Sequence, residues 1–465
     1  MPRPGHTRRP TRDSRRPGRP READQAPPTA RAVAYARLAD DAGHFPDLVP
    51  VPLETGGLDT RDAALAHAIH DAAIRRWWTL QAVLTPLLSK PFLELETKLR
   101  AALLGGSAQL ILLDRLPPHA VIDETVEWAK RAIRPGAGGL VNAVLRRVAG
   151  LVGAEHTYRG KWGGGLDEIP LPDGRALVLA EAVLPAAPLD LLSAATSVPR
   201  PLLAAWADEH GKDRARSLAL HTLAPAPVIF NAKHATAPVP GTEAHGQSDI
   251  LLYTGDSHKL GELLSSRDDV WVQDPASGMA LGIAADLSPR VIVDACAGRG
   301  TKTRQLSAMF PDAEIIATDT DAPRFVTLGR VFERRDNVRV VPADRLLEEC
   351  LGRADLVLLD VPCSNTGVLA RRPEAKYRFG PRQTERLTDT QRQIVADSVR
   401  LLARDGAILY STCSLQHEEN RDIAAWAGRW HGFKPEREQA TLPDGEPGTP
   451  PSAYRDGGYA VLLRR

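Results

Sequence analysis

Two cysteines that follow predicted strands are the residues of this sequence best placed to do chemistry. Cys363 comes after an apolar run at residues 354–359 and Asp360, and Cys413 comes after a second apolar run at residues 407–409. Such runs are typical of buried parallel strands, and ligands of open α/β sheets bind at the carboxyl ends of the strands. The chain has 4 cysteines in all, so two in equivalent positions indicate that both thiols serve one site.

A thiol at such a position can act as a nucleophile, because its thiolate is accessible near neutral pH and is a good leaving group. A cysteine in an α/β sheet can also be a small core residue, which is our interpretation of Cys350 and of the Cys296 side chain. A zinc site would need more ligands at close spacing than His417 alone provides. The sequence therefore predicts two reactive thiols and no metal.

The elements that must position these thiols occupy residues 286–465. A predicted strand at residues 291–294 leads into a turn with Gly298 and Gly300 and then into a helix, and such glycines let the backbone approach a ligand. Asp319 ends the next strand, where an acid suits hydrogen bonds to ribose hydroxyls. A third strand at residues 338–341 ends near Asp344. Strands alternating with helices in this way predict a doubly wound parallel sheet.

The rest of the chain predicts further domains, because 465 residues are too many for one ordinary core. We expect a disordered Arg/Pro-rich tail over residues 1–29, an all-α bundle over 30–150, a linker over 151–189 and a small α/β domain over 190–285. The tail either solubilises the chain or contacts nucleic-acid phosphates. Scattered cysteines and the absence of a membrane-length apolar stretch or a secretory signal predict a cytoplasmic protein that binds no membrane.

The helical region resembles the NusB-like RNA-binding domain of the RsmB/Sun/Fmu family of 16S rRNA cytosine-5 methyltransferases. The resemblance is carried by Asp-Thr-Arg-Asp at residues 59–62, Leu-Asp-Arg-Leu-Pro-Pro-His-Ala at 113–120 and Leu-Val-Asn-Ala-Val-Leu-Arg-Arg at 140–147. Asp59 is also expected to cap a helix. Five arginines form either a solvated helix face or, as a group, a set of phosphate contacts: Arg61, Arg75, Arg76, Arg146 and Arg147.

Three motifs in the C-terminal half resemble those of the RNA cytosine-5 methyltransferases. Residues 294–303 resemble the first S-adenosylmethionine motif, Asp-Ala-Cys-Ala-Ala-Pro-Gly-Gly-Lys-Thr, with Gly298, Arg299 and Thr301 replacing Ala, Pro and Gly. Residues 360–368 resemble the Asp-Ala-Pro-Cys-Ser-x-Thr-Gly-Val motif. Residues 411–420 resemble the Thr-Cys-Ser motif with its trailing Glu-Glu-Asn.

This resemblance implies methylation of carbon 5 of a cytosine in RNA, dependent on S-adenosyl-L-methionine and proceeding through a covalent bond between a cysteine and carbon 6. By the family pattern, Cys413 is the nucleophile and Cys363 assists product release. Asp360 holds the base at ring atom N3, and Lys302 lies beside the base or the cofactor turn. The residues expected to bind S-adenosyl-L-methionine are Cys296, Ala297, Gly298, Arg299, Gly300, Thr301, Lys302, Asp319 at the ribose, Asp344 on the adenine side, and Asp360.

The substrate that the resemblance implies is 16S ribosomal RNA, either free or within a partly assembled small subunit, and the protein is expected to be a monomer. Transfer RNA is the alternative substrate. A non-catalytic RNA-binding or ribosome assembly factor is the alternative class, favoured only by the altered cofactor turn. A DNA cytosine methyltransferase fits less well, because that class uses the cysteine of the Pro-Cys motif and needs no Thr-Cys partner.

Two further segments, residues 371–378 and 228–231, bear on contacts with RNA. The charged run Arg371, Arg372, Lys376 and Arg378 is either an ordinary exposed run or an RNA-facing loop that holds phosphates. Residues 228–231, Val-Ile-Phe-Asn, stand where family members usually carry an Arg-containing strand.

Overall fold

The computed structural model describes Met1 and residues 28–465. The predicted Arg/Pro-rich tail therefore lies outside the described residues, apart from Met1, Pro28 and Thr29. Among the residues that are described, no helix is long and apolar enough to cross a membrane.

Six helices form the first part of the chain around one apolar core. They are α1 (Ala30–His44), α2 (Thr60–Arg75), α3 (Trp77–Leu84), α4 (Thr97–Leu112), α5 (Pro118–Ala132) and α6 (Ala137–Val152). The α4 helix is buried on nearly every face, because apolar and small residues surround it. A side chain at Gly105 would overlap Tyr35, so this glycine lets α1 approach α4 closely. The Asp59 side chain accepts a hydrogen bond from the Asp62 amide at the start of α2, which confirms the predicted cap.

The segment expected to be a linker contains a small antiparallel sheet. Its strands are β1 (Thr157–Arg159), β2 (Glu168–Pro170) and β3 (Ala176–Val178), in the order β1-β3-β2. Ile169 and Leu177 are fully buried against the core of the helical bundle. This apolar contact holds the segment on the bundle.

Four helices and a second antiparallel sheet follow. These elements are α7 (Pro188–Thr196), α8 (Arg200–His210), α9 (Lys212–His221), β4 (Ile229–Asn231), β5 (Thr242–Ala244), β6 (Ile250–Tyr253), α10 (Ser257–Ser266) and β7 (Trp271–Val272). The strand order is β5-β6-β4-β7. The segment with Val-Ile-Phe-Asn thus forms an inner strand, with Phe230 fully buried.

The C-terminal part is a seven-stranded sheet flanked by helices. Its elements are α11 (Pro275–Gly282), β8 (Val291–Asp294), α12 (Thr301–Met309), β9 (Glu314–Ala317), α13 (Ala322–Phe332), β10 (Val338–Val340), α14 (Leu346–Cys350), β11 (Ala354–Asp360), α15 (Pro381–Ser398), β12 (Leu402–Thr412), α16 (Arg421–His431), β13 (Lys434–Thr441) and β14 (Gly458–Arg464). The strand order is β10-β9-β8-β11-β12-β14-β13. Strands β8 to β12 are the five parallel strands that the sequence predicts. The antiparallel strands β13 and β14 were not foreseen and make the sheet mixed.

The order of these strands determines where a ligand can bind. From β8 the chain builds outward to β9 and β10 on one side, and then returns to add β11 and β12 on the other side. At this switch point the helices that follow β8 and β11 diverge and leave a crevice beyond the strand ends. The cofactor turn after β8 and Asp360 at the end of β11 both lie at this edge.

The loop at residues 371–378 joins the catalytic sheet to the helical bundle. Lys376 is completely buried, and its ammonium donates to the backbone oxygens of Arg75 (2.8 Å) and Thr196 (3.3 Å). Burial holds the pKa of Lys376 well below its usual range. Arg76 is 2% exposed and donates to the carbonyls of Pro170 and Ala195. Both cations therefore link parts of the fold, and neither of the expected roles, solvated charge or phosphate contact, applies to them.

Candidate active site

The two cysteine loops lie side by side because β11 and β12 are parallel neighbours, with Asp360 in register with Ser411. The structure brings Cys363 and Cys413 together, with their Sγ atoms 3.1 Å apart. The Cys413 thiol also donates to Oδ1 of Asn365 at 3.2 Å. Asn365 adopts a left-handed backbone (φ 61°) and donates from Nδ2 to the Cys363 carbonyl, so it bridges the two loops.

The Glu419 side chain forms hydrogen bonds with both of these loops. Its carboxylate is completely buried and accepts hydrogen bonds from the Ser364 amide (2.9 Å), the Gln391 side-chain amide (3.0 Å) and the Ser414 hydroxyl (2.7 Å). Ser364 and Ser414 directly follow the two cysteines. One carboxylate therefore sets the positions of both thiol-bearing turns. Asn420 holds the Cys413 turn as well, since its side chain accepts a hydrogen bond from the Thr412 hydroxyl and donates one to the Ser414 carbonyl.

Lys302 and Asp360 form an ion pair next to the cysteines. Lys302 Nζ lies 2.7 Å from Asp360 Oδ1, which also accepts a hydrogen bond from the Ser411 hydroxyl at 2.8 Å. Burial disfavours the ammonium, but the Asp360 carboxylate outweighs burial and raises the pKa of Lys302 above its ordinary value. Lys302 therefore carries a fixed positive charge whose field also reaches Cys413.

A cleft of about 190 Å³ opens beside this pair. Lys302, Asp360 and Cys413 line it, together with Asp274 and Tyr459 from flanking elements. Cys363 does not line the cleft and is 8% exposed. The hydrogen bond with Cys413, followed by burial, raises the pKa of the Cys363 thiol. The two thiols thus differ: one faces the cleft, and the other is buried and held in its protonated form.

A second charged cluster borders the cleft. Arg371 Nε donates to Asp456 Oδ2 at 2.6 Å, and its Nη2 lies 3.3 Å from Asp274 Oδ2. The Asp456 amide donates to Asp274 as well. Burial, and then the nearby Asp456 charge, raise the pKa of Asp274 to about 7. Arg371 therefore holds the wall of the cleft together, which corrects its interpretation as an ordinary exposed residue.

The turn after β8 has the features of a cofactor cradle. Gly298 and Gly300 have left-handed backbones (φ 59° and 88°), and a side chain on Gly300 would overlap the Phe332 ring. The Gly298 amide donates to Asp319 Oδ2 at 2.8 Å, and the Asp321 amide donates to Oδ1. The turn and the Asp319 carboxylate are therefore preformed. Each Asp319 oxygen accepts one backbone hydrogen bond and has a further lone pair, so the carboxylate can still accept hydrogen bonds from the two hydroxyls of a ribose.

The remaining predicted cofactor residues surround this turn. The Ala297 amide donates to the Thr318 carbonyl, Arg299 is exposed, and α12 begins at Thr301. Burial raises the pKa of the Cys296 thiol, so that thiol is un-ionised at neutral pH. At the end of β8, burial also raises the pKa of Asp294 to about 7, although Thr303 donates a hydrogen bond to it.

Asp344 follows β10, the strand at the end of the sheet, and so lies beyond the strand that ends at Asp319. It lies in a short 3-10 turn after β10 and is exposed. In residues 28–465 it forms no hydrogen bond or ion pair with another predicted site residue. Its expected contact with the adenine side of the cofactor stays a prediction. Within the same residues, no group of three or more His, Cys, Asp or Glu side chains could hold a metal ion.

Several site residues were missed from the sequence. The Glu-Glu-Asn run after Thr-Cys-Ser marked Glu419 and Asn420 as part of a motif but assigned them no role. Asn365 occupied the variable position of its motif. Asp274 and Asp456 are 182 residues apart, and only the fold brings them to the same cleft.

Comparisons with known proteins agree with this geometry. A family described as 16S rRNA methyltransferase RsmB/F matches residues 285–431, and the NusB family matches residues 41–150. The crystal structure of PH0851 has a TM-score of 0.64 at 19% identity and covers 93% of this chain and 98% of its own. That likeness shows a shared fold. The expected class, a NusB-like helical bundle followed by a Rossmann-like methyltransferase sheet, is confirmed.

Curated relatives extend the match over most of the chain. The ribosomal RNA small subunit methyltransferase B of Xanthomonas campestris is 30% identical over 386 residues, which are 79% of each protein. The protein of the same name from Thermus thermophilus is 28% identical over 94% of this chain and 98% of its own. The expected family is thereby confirmed: the chain belongs to the 16S rRNA methyltransferase RsmB/F family.

Proposed function

We propose that this protein transfers a methyl group from S-adenosyl-L-methionine to carbon 5 of a cytosine in 16S ribosomal RNA. One observation carries the proposal. Cys413 faces a cleft that Lys302 and Asp360 also line, and a second, buried thiol lies 3.1 Å away. The names of the relatives support small-subunit ribosomal RNA as the substrate.

Cys413 is the nucleophile in this proposal. Its sulfur forms a bond to carbon 6 of the cytosine, and the electron pair of the C5–C6 double bond moves toward carbon 5. Carbon 5 thereby becomes able to attack an electrophilic methyl group. The Lys302 ammonium lines the same cleft as the Cys413 sulfur and is paired there with the Asp360 carboxylate. The Asn365 amide oxygen orients the thiol before it loses its proton.

Asp360 holds the base during this step. The Lys302 and Ser411 contacts both use Oδ1, so Oδ2 is the oxygen that can face ring atom N3 of the cytosine. The proton that the Cys413 thiol gives up passes through this oxygen to N3, where it neutralises the negative charge that develops as the sulfur adds to carbon 6. The ion pair with Lys302 fixes the orientation of the carboxylate.

Cys363 assists the release of the product. The proton on carbon 5 must leave before the double bond can form again and expel the Cys413 thiolate. Cys363 lies next to that sulfur, and its raised pKa keeps it protonated while Cys413 attacks. At release, Cys363 gives its proton to the departing Cys413 sulfur, and the Cys363 thiolate so formed takes the proton from carbon 5. Without Cys363, the covalent bond to carbon 6 should form but should break slowly.

The cofactor would bind at the turn after β8. S-adenosyl-L-methionine supplies a methyl group on a positively charged sulfur when it is bound. The backbone of residues 296–301 would enclose it, and the Asp319 carboxylate would accept hydrogen bonds from its ribose. Asp344, one strand further along the same edge, is the proposed neighbour of the adenine. We further propose that the protein acts as a monomer in the cytoplasm.

The test compares single cysteine variants incubated with S-adenosyl-L-methionine and 16S rRNA from cells that lack this protein. Cys363→Ala should accumulate a protein–RNA adduct that survives a denaturing gel. Cys413→Ala should form no adduct and should transfer no methyl group. Bisulfite sequencing of the RNA then identifies the methylated cytosine.

Cys350→Ala serves as the matched control, because Cys350 is buried in the core cluster that α14 helps to form. It should methylate RNA at the parent rate without a stable adduct. An adduct of equal yield in Cys413→Ala would reverse the assigned roles of the two thiols. A parent protein that binds RNA but not S-adenosyl-L-methionine, together with a Cys363→Ala variant that forms no adduct, would refute the enzyme and favour an assembly factor.

A further inference from the structure

A groove of about 800 Å³ lies between the helical bundle and the start of α15. Asp47 and Val49, from the loop after α1, line one side. Six residues between positions 378 and 386 line the other side, and three of them are arginines: Arg378, Arg382 and Arg386. The spacing of four residues places Arg382 and Arg386 on the same face of α15, with Arg378 just before its first turn. We call this feature the arginine groove.

The three arginines lack the carboxylate partners that neutralise other arginines of this protein. In the part of the chain that the structure describes, none of them forms an ion pair, and Arg386 donates only to the Gln383 side chain. By contrast, Arg392 on the same helix pairs with Asp389 at 3.0 Å. Arg382 and Arg386 are exposed, whereas Arg378 is half-buried.

Other positively charged side chains also lie near Arg378. Burial is the largest cause that lowers its pKa, and the positive charges of Arg372 and Arg386 lower it further. Glu374 and Asp47 offset this only in part, so the pKa of Arg378 stays below its ordinary value. An anionic ligand in the groove would relieve both the repulsion and the unpaired charge.

The structure divides the charged run of this loop into two groups. Arg371 and Lys376 point inward and hold the domains together. Arg372 and Arg378 belong instead to the outward-facing surface that continues into Arg382 and Arg386. Arg371 bonds to Asp274 and Asp456 in the wall of the cleft, and Arg372 of the outward group directly follows it in the chain. A ligand of the outward group would therefore extend from the neighbourhood of the cleft toward the helical bundle.

We propose that the arginine groove binds the phosphate backbone of the RNA substrate beside the target cytosine, on the side of the helical bundle. This proposal rests on the proposed function for the identity of the anion. Guanidinium groups suit phosphate oxygens because they donate two parallel hydrogen bonds. Asp47 on the opposite wall repels phosphate, so the backbone would follow the α15 side. Contacts of this kind position RNA without reading its sequence.

The test uses full-length variants in which the charges of Arg382 and Arg386 on α15 are changed. It measures their RNA binding, the salt dependence of that binding, and RNA methylation. The double variant Arg382→Gln/Arg386→Gln should lower the slope of log K against log salt concentration by about 1.4, because each phosphate contact to a single strand contributes about 0.7. Arg382→Glu/Arg386→Glu should weaken RNA binding by about tenfold or more. In both variants, kcat at saturating RNA and the affinity for S-adenosyl-L-methionine should stay at the parent values.

Two controls separate a phosphate site from a general loss of positive charge. Arg382→Lys/Arg386→Lys keeps the charge and should keep the parent salt slope. Arg404→Glu changes an exposed arginine near the opposite end of β12 from Cys413, and it should leave RNA affinity unchanged. Parent-like affinity and salt slope in the Gln and Glu double variants would overturn the groove proposal.

A failure of the groove proposal can be distinguished from a failure of the proposed chemistry. A parent protein that binds 16S rRNA but transfers no methyl group would refute the proposed function, and the salt slopes would still decide whether the groove binds RNA. A parent that methylates RNA, together with groove variants that bind normally, would refute only the groove. A parent that does not bind RNA would overturn both.

Discussion

Glu419 is a buried carboxylate on which the geometry of both thiols depends. It accepts hydrogen bonds from groups on the loops after β11 and β12 and from Gln391 of α15. A buried carboxylate is costly unless it is fully hydrogen-bonded. Here its three donors arise from three separate elements. Glu419 is therefore a positioning residue: it does not line the cleft but sets the distance between the sulfurs that act there.

Glu419→Ala should reduce kcat and the rate of adduct formation by about tenfold or more, because a small misplacement of reacting groups has a large effect on rate. It should also lower the free energy of unfolding by about 3 kcal/mol, since three donors lose their acceptor. Steady-state kinetics, adduct yield and denaturant unfolding measure these changes. Affinity for S-adenosyl-L-methionine should change little, because the β8 turn does not contact Glu419.

Glu419→Gln keeps one side-chain oxygen and should recover part of kcat. The neighbouring Glu418 side chain is 46% exposed, so Glu418→Ala is the matched control and should behave like the parent. A kcat unchanged in Glu419→Ala would show that the thiols hold their positions without this residue.

The β8–α12 turn depends on two glycines with different surroundings. Both have left-handed backbones, which non-glycine residues adopt at a cost of about 1 kcal/mol. A Cβ atom at Gly298 would meet no atom within 4 Å, whereas one at Gly300 would overlap Phe332 of α13. The replacements Arg299 and Thr301 leave this turn intact, since Gly300 retains the position that packing requires.

Gly300→Ala should therefore destabilise the protein by about 2–4 kcal/mol, from backbone strain together with overpacking against Phe332. Gly298→Ala should cost about 1 kcal/mol from strain alone. Denaturant unfolding measures both values. Adding Phe332→Leu should rescue part of the Gly300→Ala loss but none of the Gly298→Ala loss. Equal destabilisation by the two glycine substitutions would contradict this difference in packing.

Tyr377 joins the catalytic half of the protein to the helical bundle. Its ring packs near Phe45 and Trp78, with centroids 5.3 and 5.1 Å away. Its hydroxyl donates to the Ile74 carbonyl at 2.7 Å and accepts from the Trp77 amide at 3.2 Å. These backbone groups lie between α2 and α3, so the hydroxyl satisfies polar atoms that the helices leave unpaired.

Tyr377→Phe should lower the free energy of unfolding by about 1–3 kcal/mol, because a buried amide and a buried carbonyl each lose a partner. Tyr253→Phe is the control, since the Tyr253 hydroxyl bonds to the Asp256 carbonyl in an exposed setting, and it should be nearly neutral. Thermal unfolding of the two variants provides the comparison. A Tyr377→Phe variant as stable as Tyr253→Phe would argue against this interface role.

The local features of the fold could be predicted from the sequence. The apolar runs of the five parallel strands, the cap at Asp59 and the helical periodicity of the bundle depend on residues close together in the chain. Strand β13 was not predicted because it is a polar edge strand with most of its side chains exposed. Its sequence is Lys-Pro-Glu-Arg-Glu-Gln-Ala-Thr. An edge strand of this kind carries no apolar alternation, and only its pairing with β14 identifies it.

Residue types at short spacing were enough to predict the family, the two cysteine motifs and the positions of the five parallel strands along the chain. The buried cations, in contrast, could be identified only from the folded structure. Lys376 and Arg371 occur in the same charged run as Arg378, but they bond to groups 301 and 85 residues away. The desolvation of a charge depends on what packs around it, and contacts over such separations leave no pattern in the local sequence.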